Sequence, residues 1–179
     1  YLGGFIEKNE WKDFLNNEHI ITDQKYYEGY YDSFMRKFAN LNSNPKFVSI
    51  FSKFNITDKD EFLDIGSGLG LMCFGMKQNY NFNKIYGVEF NKKSYDISIQ
   101  NRNIMKYQDN IQFFNESIFD FQIPKTVTYI YCFNPFKEKI HLFEKILIKC
   151  KQLPKITIVW MNIKLNEEII RIIERNDFS

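Results

Sequence analysis

The chain has 179 residues, of which 24 are basic and 22 acidic, for a net charge of +2; no strong field directs it to nucleic acid or to a membrane surface. That length supports one α/β domain around a single core. Cys73, Cys132 and Cys150 stand apart, and His19 and His141 are distant, which gives neither a disulfide framework nor a zinc set; with no apolar run of membrane-spanning length and no secretory leader, a reducing intracellular setting, cytoplasmic or nuclear, is expected.

The sequence opens on Tyr1, not methionine, and reads as a processed form or a piece of a longer protein. Residues 1–55 carry apolar positions such as Phe34, Phe38 and Leu41 at spacings of three and four, the pattern of a helical N-terminal extension. Inside it, Tyr26-Tyr27-Glu28-Gly29-Tyr30-Tyr31 is either an amphipathic packing face or the inner surface of a lid. Asn42 to Pro45 punctuates the segment, and Thr57 to Asp60 forms a polar turn before the first strand. Glu61 to Gly70 follows. Phe62 to Ile65 reads as a buried strand of a parallel sheet and Leu69 to Gln78 as a helix interrupted by Gly75. Gly66, Gly68 and Gly70 make the turn between them. Glycine at every second position serves neither helix nor strand, but it suits a main chain that turns tightly against a ligand. A dinucleotide fingerprint would need glycine where Leu71 stands, and the Gly-Lys-Ser or Gly-Lys-Thr of a phosphate loop is missing.

What Asp64 to Gly70 does spell is D-x-G-x-G-x-G, which resembles the first motif of the class I S-adenosylmethionine-dependent methyltransferases. The resemblance implies that Gly66, Ser67, Gly68 and Gly70 wrap the methionine end of the cofactor, with Asp64 near its amino group. S-Adenosyl-L-methionine has no pyrophosphate to place on a helix N-terminus. It carries an ammonium, a carboxylate and a sulfonium instead, and an acid before the turn suits the cation. On the same resemblance, the tyrosine-rich N-terminal segment is a lid. Lys84 to Phe90 reads as the second strand, with Glu89 near its end. An acid there lies where the two ribose hydroxyls belong, and a carboxylate can accept from both; taken alone, it is simply a solvated acid. Its spacing from the glycine turn brings Glu89 and the adjacent Phe90 into the cofactor set.

Asn91 to Gln108 is expected to be a helix capped by Asn91, and Ile111 to Phe114 a third strand. In the family the turn after this strand holds adenine. The resemblance therefore gives Glu116 the exocyclic amine, with Asp120 second, and makes Ser117 and Ile118 the backbone donors; otherwise the acid is a helix cap. Val127 to Phe133 is the fourth strand and runs into Asn134-Pro135-Phe136. These three resemble, imperfectly, the Asn-Pro-Pro-Tyr signature of amino methyltransferases, one proline being absent. They are closer to small methyltransferases of unassigned substrate with Asn-Pro-Phe at this point. A looser likeness is to the Rossmann-fold histone-lysine methyltransferases, with Asn-Asn-Phe there and an upstream Tyr-Gly-Glu that Tyr27-Glu28-Gly29 echoes. A plain strand-ending turn would use the same residues. Methyl transfer from a sulfonium is a direct displacement, so the protein must align the nucleophile and leave its lone pair free. Asn134, Pro135 and Phe136 are the candidate catalytic residues: the Asn134 amide oxygen can accept from a substrate N–H, and Phe136 can wall an apolar channel around the incoming nitrogen.

Lys137 to Gln152 is expected to be a helix, Lys155 to Met161 a fifth strand, and Leu165 to Arg175 a last helix. The class I sheet has seven strands, so either the fold is minimal or the polypeptide ends early. The expected architecture is a Rossmann-like α/β sandwich, mainly parallel, with an N-terminal helical extension over residues 1–55 and the cofactor domain over 56–179. The expected function is S-adenosylmethionine-dependent N-methylation of a protein side chain such as lysine, with no metal and no membrane partner. One rival is methylation of a nucleic-acid base or a small-molecule amine; the other is a methyltransferase-like scaffold that binds a partner subunit without turnover.

Overall fold

The computed structural model describes residues 50–133, 140–161 and 167–178. The tyrosine-rich segment and Asn134-Pro135-Phe136 lie outside the described residues. Five strands, β1 (Glu61–Ile65), β2 (Lys84–Val88), β3 (Ile111–Phe114), β4 (Tyr129–Phe133) and β5 (Thr157–Met161), form one sheet in the order β3-β2-β1-β4-β5. Every pairing is parallel. Helices α1 (Leu71–Asn79), α2 (Lys92–Ile104), α3 (Ile140–Cys150) and α4 (Glu167–Arg175) follow β1, β2, β4 and β5, and β3 leads to β4 without one. The chain walks from β1 outward to β3, then crosses back to β4, which puts the switch point between β1 and β4. In open parallel sheets, that crevice at the carboxyl ends is where ligands bind.

The strands are apolar on both faces because helices cover both. Phe62, Ile85, Ile111, Phe113, Tyr129, Tyr131 and Val159 face one core, which Leu71 to Met76 of α1 and Ile97 of α2 complete. Leu63, Ile65, Tyr86, Val88, Ile130 and Cys132 face the other, closed by Ile146 and Cys150 of α3. Phe51 is buried among Phe54, Phe62, Tyr80 and Tyr131. The last turn of the expected extension is thereby part of the domain core, and burying one such ring is worth about 1.5–3 kcal/mol.

The amino end of the sheet is pinned by a buried acid. The Glu61 carboxylate accepts from Asn83 Nδ2 at 3.3 Å, Tyr86 Oη at 3.1 Å and the Thr126 hydroxyl. Burial, then the Glu61 charge, pushes the Tyr86 hydroxyl up to about 12. With both oxygens engaged by neighbouring side chains, Glu61 acts in the fold and stands at the end of the sheet away from the crevice.

Several limits differ from the sequence reading by a few residues. Helix α1 starts at Leu71 with Gly70 as its cap residue, and it runs unbroken through the buried Gly75. Helix α2 is capped as expected, Asn91 Oδ1 accepting from Lys93 N and Ser94 N, but it stops short of Gln108. Lys106 adopts a left-handed φ of 58°, and Tyr107 N and Lys106 N donate back to Arg102 O and Asn103 O, which is a Schellman closure built without glycine. The polar loops before β4 and β5 shorten both strands, so that they begin at Tyr129 and Thr157.

Candidate cofactor site

The glycine turn leaves β1 at the switch point and is held by its neighbour. Gly66 N and Ser67 N both donate to Val88 O, at 2.9 and 3.1 Å, and Gly70 N closes the turn on Ser67 O at 2.8 Å. Gly66, Gly68 and Gly70 have φ of 74°, 53° and 82°, a region that side chains with a Cβ rarely adopt. The glycines differ in what surrounds them. A Cβ on Gly68 would meet nothing within 4 Å among the described residues, whereas one on Gly70 would lie 2.3 Å from Phe113 Cζ. Gly68 borders open space; Gly70 makes room for a core ring.

Asp64 sits in the middle of this arrangement, paired in register with Gly87 on one side and Tyr131 on the other. It is 4% exposed, and its contact is the Cys73 thiol, which donates to Oδ2 at 3.9 Å. Burial, and secondarily the charge of Glu89, raises its carboxyl to about 8, with the Cys73 thiol acting the other way. A buried acid whose described partners, Cys73 and Glu89, include no cation is poised for one. Ser67 Oγ adds a second open valence: it is buried and has no hydrogen-bond partner among the described residues. An ammonium and a carboxylate are the groups that these two would satisfy, so the residues present fit the methionine end of S-adenosylmethionine.

The sequence reading put Glu89 inside a strand reaching Phe90; β2 ends at Val88, and Glu89 lies one residue beyond it. Its carboxylate joins two loops, Oε2 accepting from Gly68 N at 2.8 Å and Oε1 from Asn91 N at 2.7 Å. Each carboxylate oxygen has a second acceptor site, which leaves room for ribose hydroxyls. Phe90 follows with its ring 79% exposed. After β3, the Ser117 hydroxyl accepts from Phe119 N, and Ser117 O accepts from Asp120 N and Phe121 N. Ile118 is the buried anchor of that turn, packed with Phe114 and Phe121, while Glu116 and Asp120 are exposed. The parallel sheet therefore brings Asp64, the glycine turn, Glu89, Phe90 and the Glu116 to Ile118 turn to one edge.

Sequence reasoning missed three contributors. Cys73 is the thiol on Asp64, Phe113 wedges against Gly70 and Gly87, and Asn115 reaches from β3 to the end of β2. The first two depend on pairing between distant segments. Asn115 was visible only as one polar residue in a polar run. Among the described residues, no group of His, Cys, Asp or Glu could hold a metal ion, and no helix is long and apolar enough to cross a membrane.

The fold recurs widely among solved structures. The chain is similar to the precorrin-6y C5,15-methyltransferase of Geobacter metallireducens, with a TM-score of 0.58 and 13% identity over 74% of this chain and 70% of that one. It also resembles a SAM-dependent methyltransferase of Aquifex aeolicus, with a TM-score of 0.55 and 16% identity over 73% of this chain and 78% of the other. A third neighbour is an RNA methyltransferase of Salinibacter ruber solved with S-adenosyl-L-homocysteine, with a TM-score of 0.54 and 14% identity over 65% and 74% of the two chains. At such identities the likeness shows the fold. The chain spans 45% and 63% of the length of two other solved neighbours. No curated protein matches it. The profile of the family described as "Histone methylation protein DOT1" matches residues 17–123. That match takes in more than half of the chain, including the glycine turn, Glu89 and the turn after β3, and the chain belongs to this family of S-adenosylmethionine-dependent methyltransferases.

Proposed function

We propose that this chain transfers the methyl group of S-adenosylmethionine to a side-chain nitrogen of a protein, lysine in particular. The observation that carries the acceptor is the match to a histone methylation family. In this reading Asp64 faces the cofactor's ammonium, the Ser67 hydroxyl takes its carboxylate, Gly66, Gly68 and Gly70 let the turn wrap its methionine end, and Glu89 takes the ribose. Phe90 covers the base, and Glu116, Ser117 and Ile118 meet its edge. The tyrosine-rich N-terminal segment serves as the lid. Bound there, the cofactor supplies a methyl on a sulfonium, which is open to direct displacement. Asn134 accepts an N–H of the incoming amine and turns its lone pair toward the methyl, while Pro135 and Phe136 exclude water from the approach.

Radiolabelled cofactor incubated with core histones and with fractionated cell extract tests the acceptor. Label is expected in protein and on lysine after hydrolysis; label confined to nucleic acid or to small molecules rejects the proposal. For Asn134→Ala, transfer is expected to slow by at least about tenfold with cofactor affinity unchanged. A normal rate removes Asn134 from the positioning role. For Glu89→Ala, calorimetry is expected to show affinity weakened by about 1–3 kcal/mol, the cost of losing a charge-assisted hydrogen-bond partner. Full affinity in that variant places the ribose elsewhere.

A further inference from the structure

The ladder between β2 and β3 ends at the Val88–Phe114 pair, followed by one more bond from Glu89 N to Phe114 O at 3.0 Å. Beyond that point, neither strand holds the other. The side chain of Asn115 replaces the missing ladder: its Nδ2 donates to Glu89 O at 2.9 Å and to Phe90 O at 3.1 Å. Both partners are carbonyls, so only a donor can occupy this place.

We propose that Asn115 is a positioning residue for the nucleoside half of the cofactor site, fixing the Glu89 carboxylate relative to the turn at Glu116 to Ile118. The inference rests on the cofactor reading above and deepens it. Glu89 and Phe90 are the residues assigned to ribose and base, and Asn115 clamps the main chain of both. The amide immediately after Asn115 is that of Glu116, the residue assigned to the adenine amine. One carboxamide thus sets the separation between the ribose acid and the adenine turn. The Glu89 side chain in turn binds Gly68 N, so the clamp also reaches the glycine turn. Asn115 is itself exposed, and an exposed side chain bonded to two carbonyls contributes little to global stability. Its effect is expected in the ligand's geometry, not in the fold.

Calorimetry on the full chain with S-adenosylhomocysteine and with its 2′-deoxyribose analogue separates these roles, since the affinity ratio reads the ribose contact alone. The ratio is expected to be about tenfold in the unaltered chain. Asn115→Asp keeps the shape and loses the donor; in it, and in Asn115→Ala, the ratio is expected to fall below about threefold with the melting temperature nearly unchanged. An unchanged ratio in both variants overturns the proposal. Equal weakening of both ligands together with a large fall in melting temperature also overturns it, by making Asn115 merely structural. If the unaltered chain binds both ligands without discrimination, Glu89 does not hold the ribose and Asn115 has nothing to position. If it binds neither, the cofactor reading fails first and the proposal goes with it.

Discussion

Asp64→Asn is expected to weaken S-adenosylmethionine binding by about a hundredfold or more while making the ligand-free fold more stable at pH 8. The two effects have one cause. Asp64 is a buried carboxyl whose described neighbours are the Cys73 thiol of α1, Tyr131 of β4 and the Glu89 carboxylate beyond β2. None of these is a cation. Its proton affinity rises accordingly, to about 8 from the model-compound value of 3.8. Between those values the folded chain holds a proton that the unfolded chain has released, so stability falls as pH rises from about 4 to about 8 and levels off above. Asparagine keeps the shape and has no charge to bury, and the stability of the variant should lack that decline. The gain at pH 8 is expected to be a few kcal/mol. Denaturant titrations of both proteins at pH 5, 6.5 and 8 measure it; parallel stability–pH curves would show that Asp64 is not an uncompensated acid. The same geometry gives the binding effect, because the ammonium that Asp64 faces supplies the missing counter-charge and asparagine cannot return it. Cofactor binding to the unaltered chain should release a proton below pH 8, seen as a calorimetric enthalpy that depends on the buffer, and Asp64→Asn should abolish that dependence.

Much of the fold was legible because the strongest signals were local. Phe62 to Ile65 and Ile111 to Phe114 are short apolar runs bounded by turn residues, and both form strands within a residue of the expected limits. Glu89 could be placed because a parallel sheet puts the carboxyl ends of β1 and β2 side by side, whatever the helix between them does. Non-local contacts escaped the sequence. Nothing in the spelling of Gly66-Ser67-Gly68-Leu69-Gly70 separates a glycine with open space beside it from one that borders a ring 43 positions on, yet Gly68 and Gly70 divide in that way among the described residues. The end of α2 was missed because Lys106 takes a left-handed conformation that sequence patterns reserve for glycine or asparagine. The role of Asn115 escaped the sequence because its partners, Glu89 O and Phe90 O, are main-chain atoms just beyond β2 and leave no mark in side-chain pattern.

Gly87→Ala is expected to cost about 1–3 kcal/mol of stability, the usual penalty for overfilling a packed core, and to weaken cofactor binding although Gly87 lies inside a strand. The added Cβ would stand 2.5 Å from Phe113 Cδ1 and 2.8 Å from Ser67 Oγ. Phe113 has little room to yield. Its ring already lies against the space a Cβ on Gly70 would need, at 2.3 Å, and meets Phe74 edge-on at 5.8 Å. Displacing it presses on the glycine turn from below, and Ser67 is pushed directly. A double-mutant cycle isolates the wedge. Phe113→Leu alone leaves a partial void and should destabilise; in the Gly87→Ala background it should cost less or restore stability, a coupling of about 0.5–3 kcal/mol. Additive losses would show that the two positions do not share the space. Gly68→Ala is the informative contrast, since its Cβ meets open space and only the φ of 53° opposes it. A backbone penalty of about 1 kcal/mol is expected there, with no coupling to Phe113. A loss of cofactor affinity beyond that seen in Gly87→Ala is expected as well, from the methyl occupying the ligand's own space; a smaller loss would place the cofactor away from Gly68.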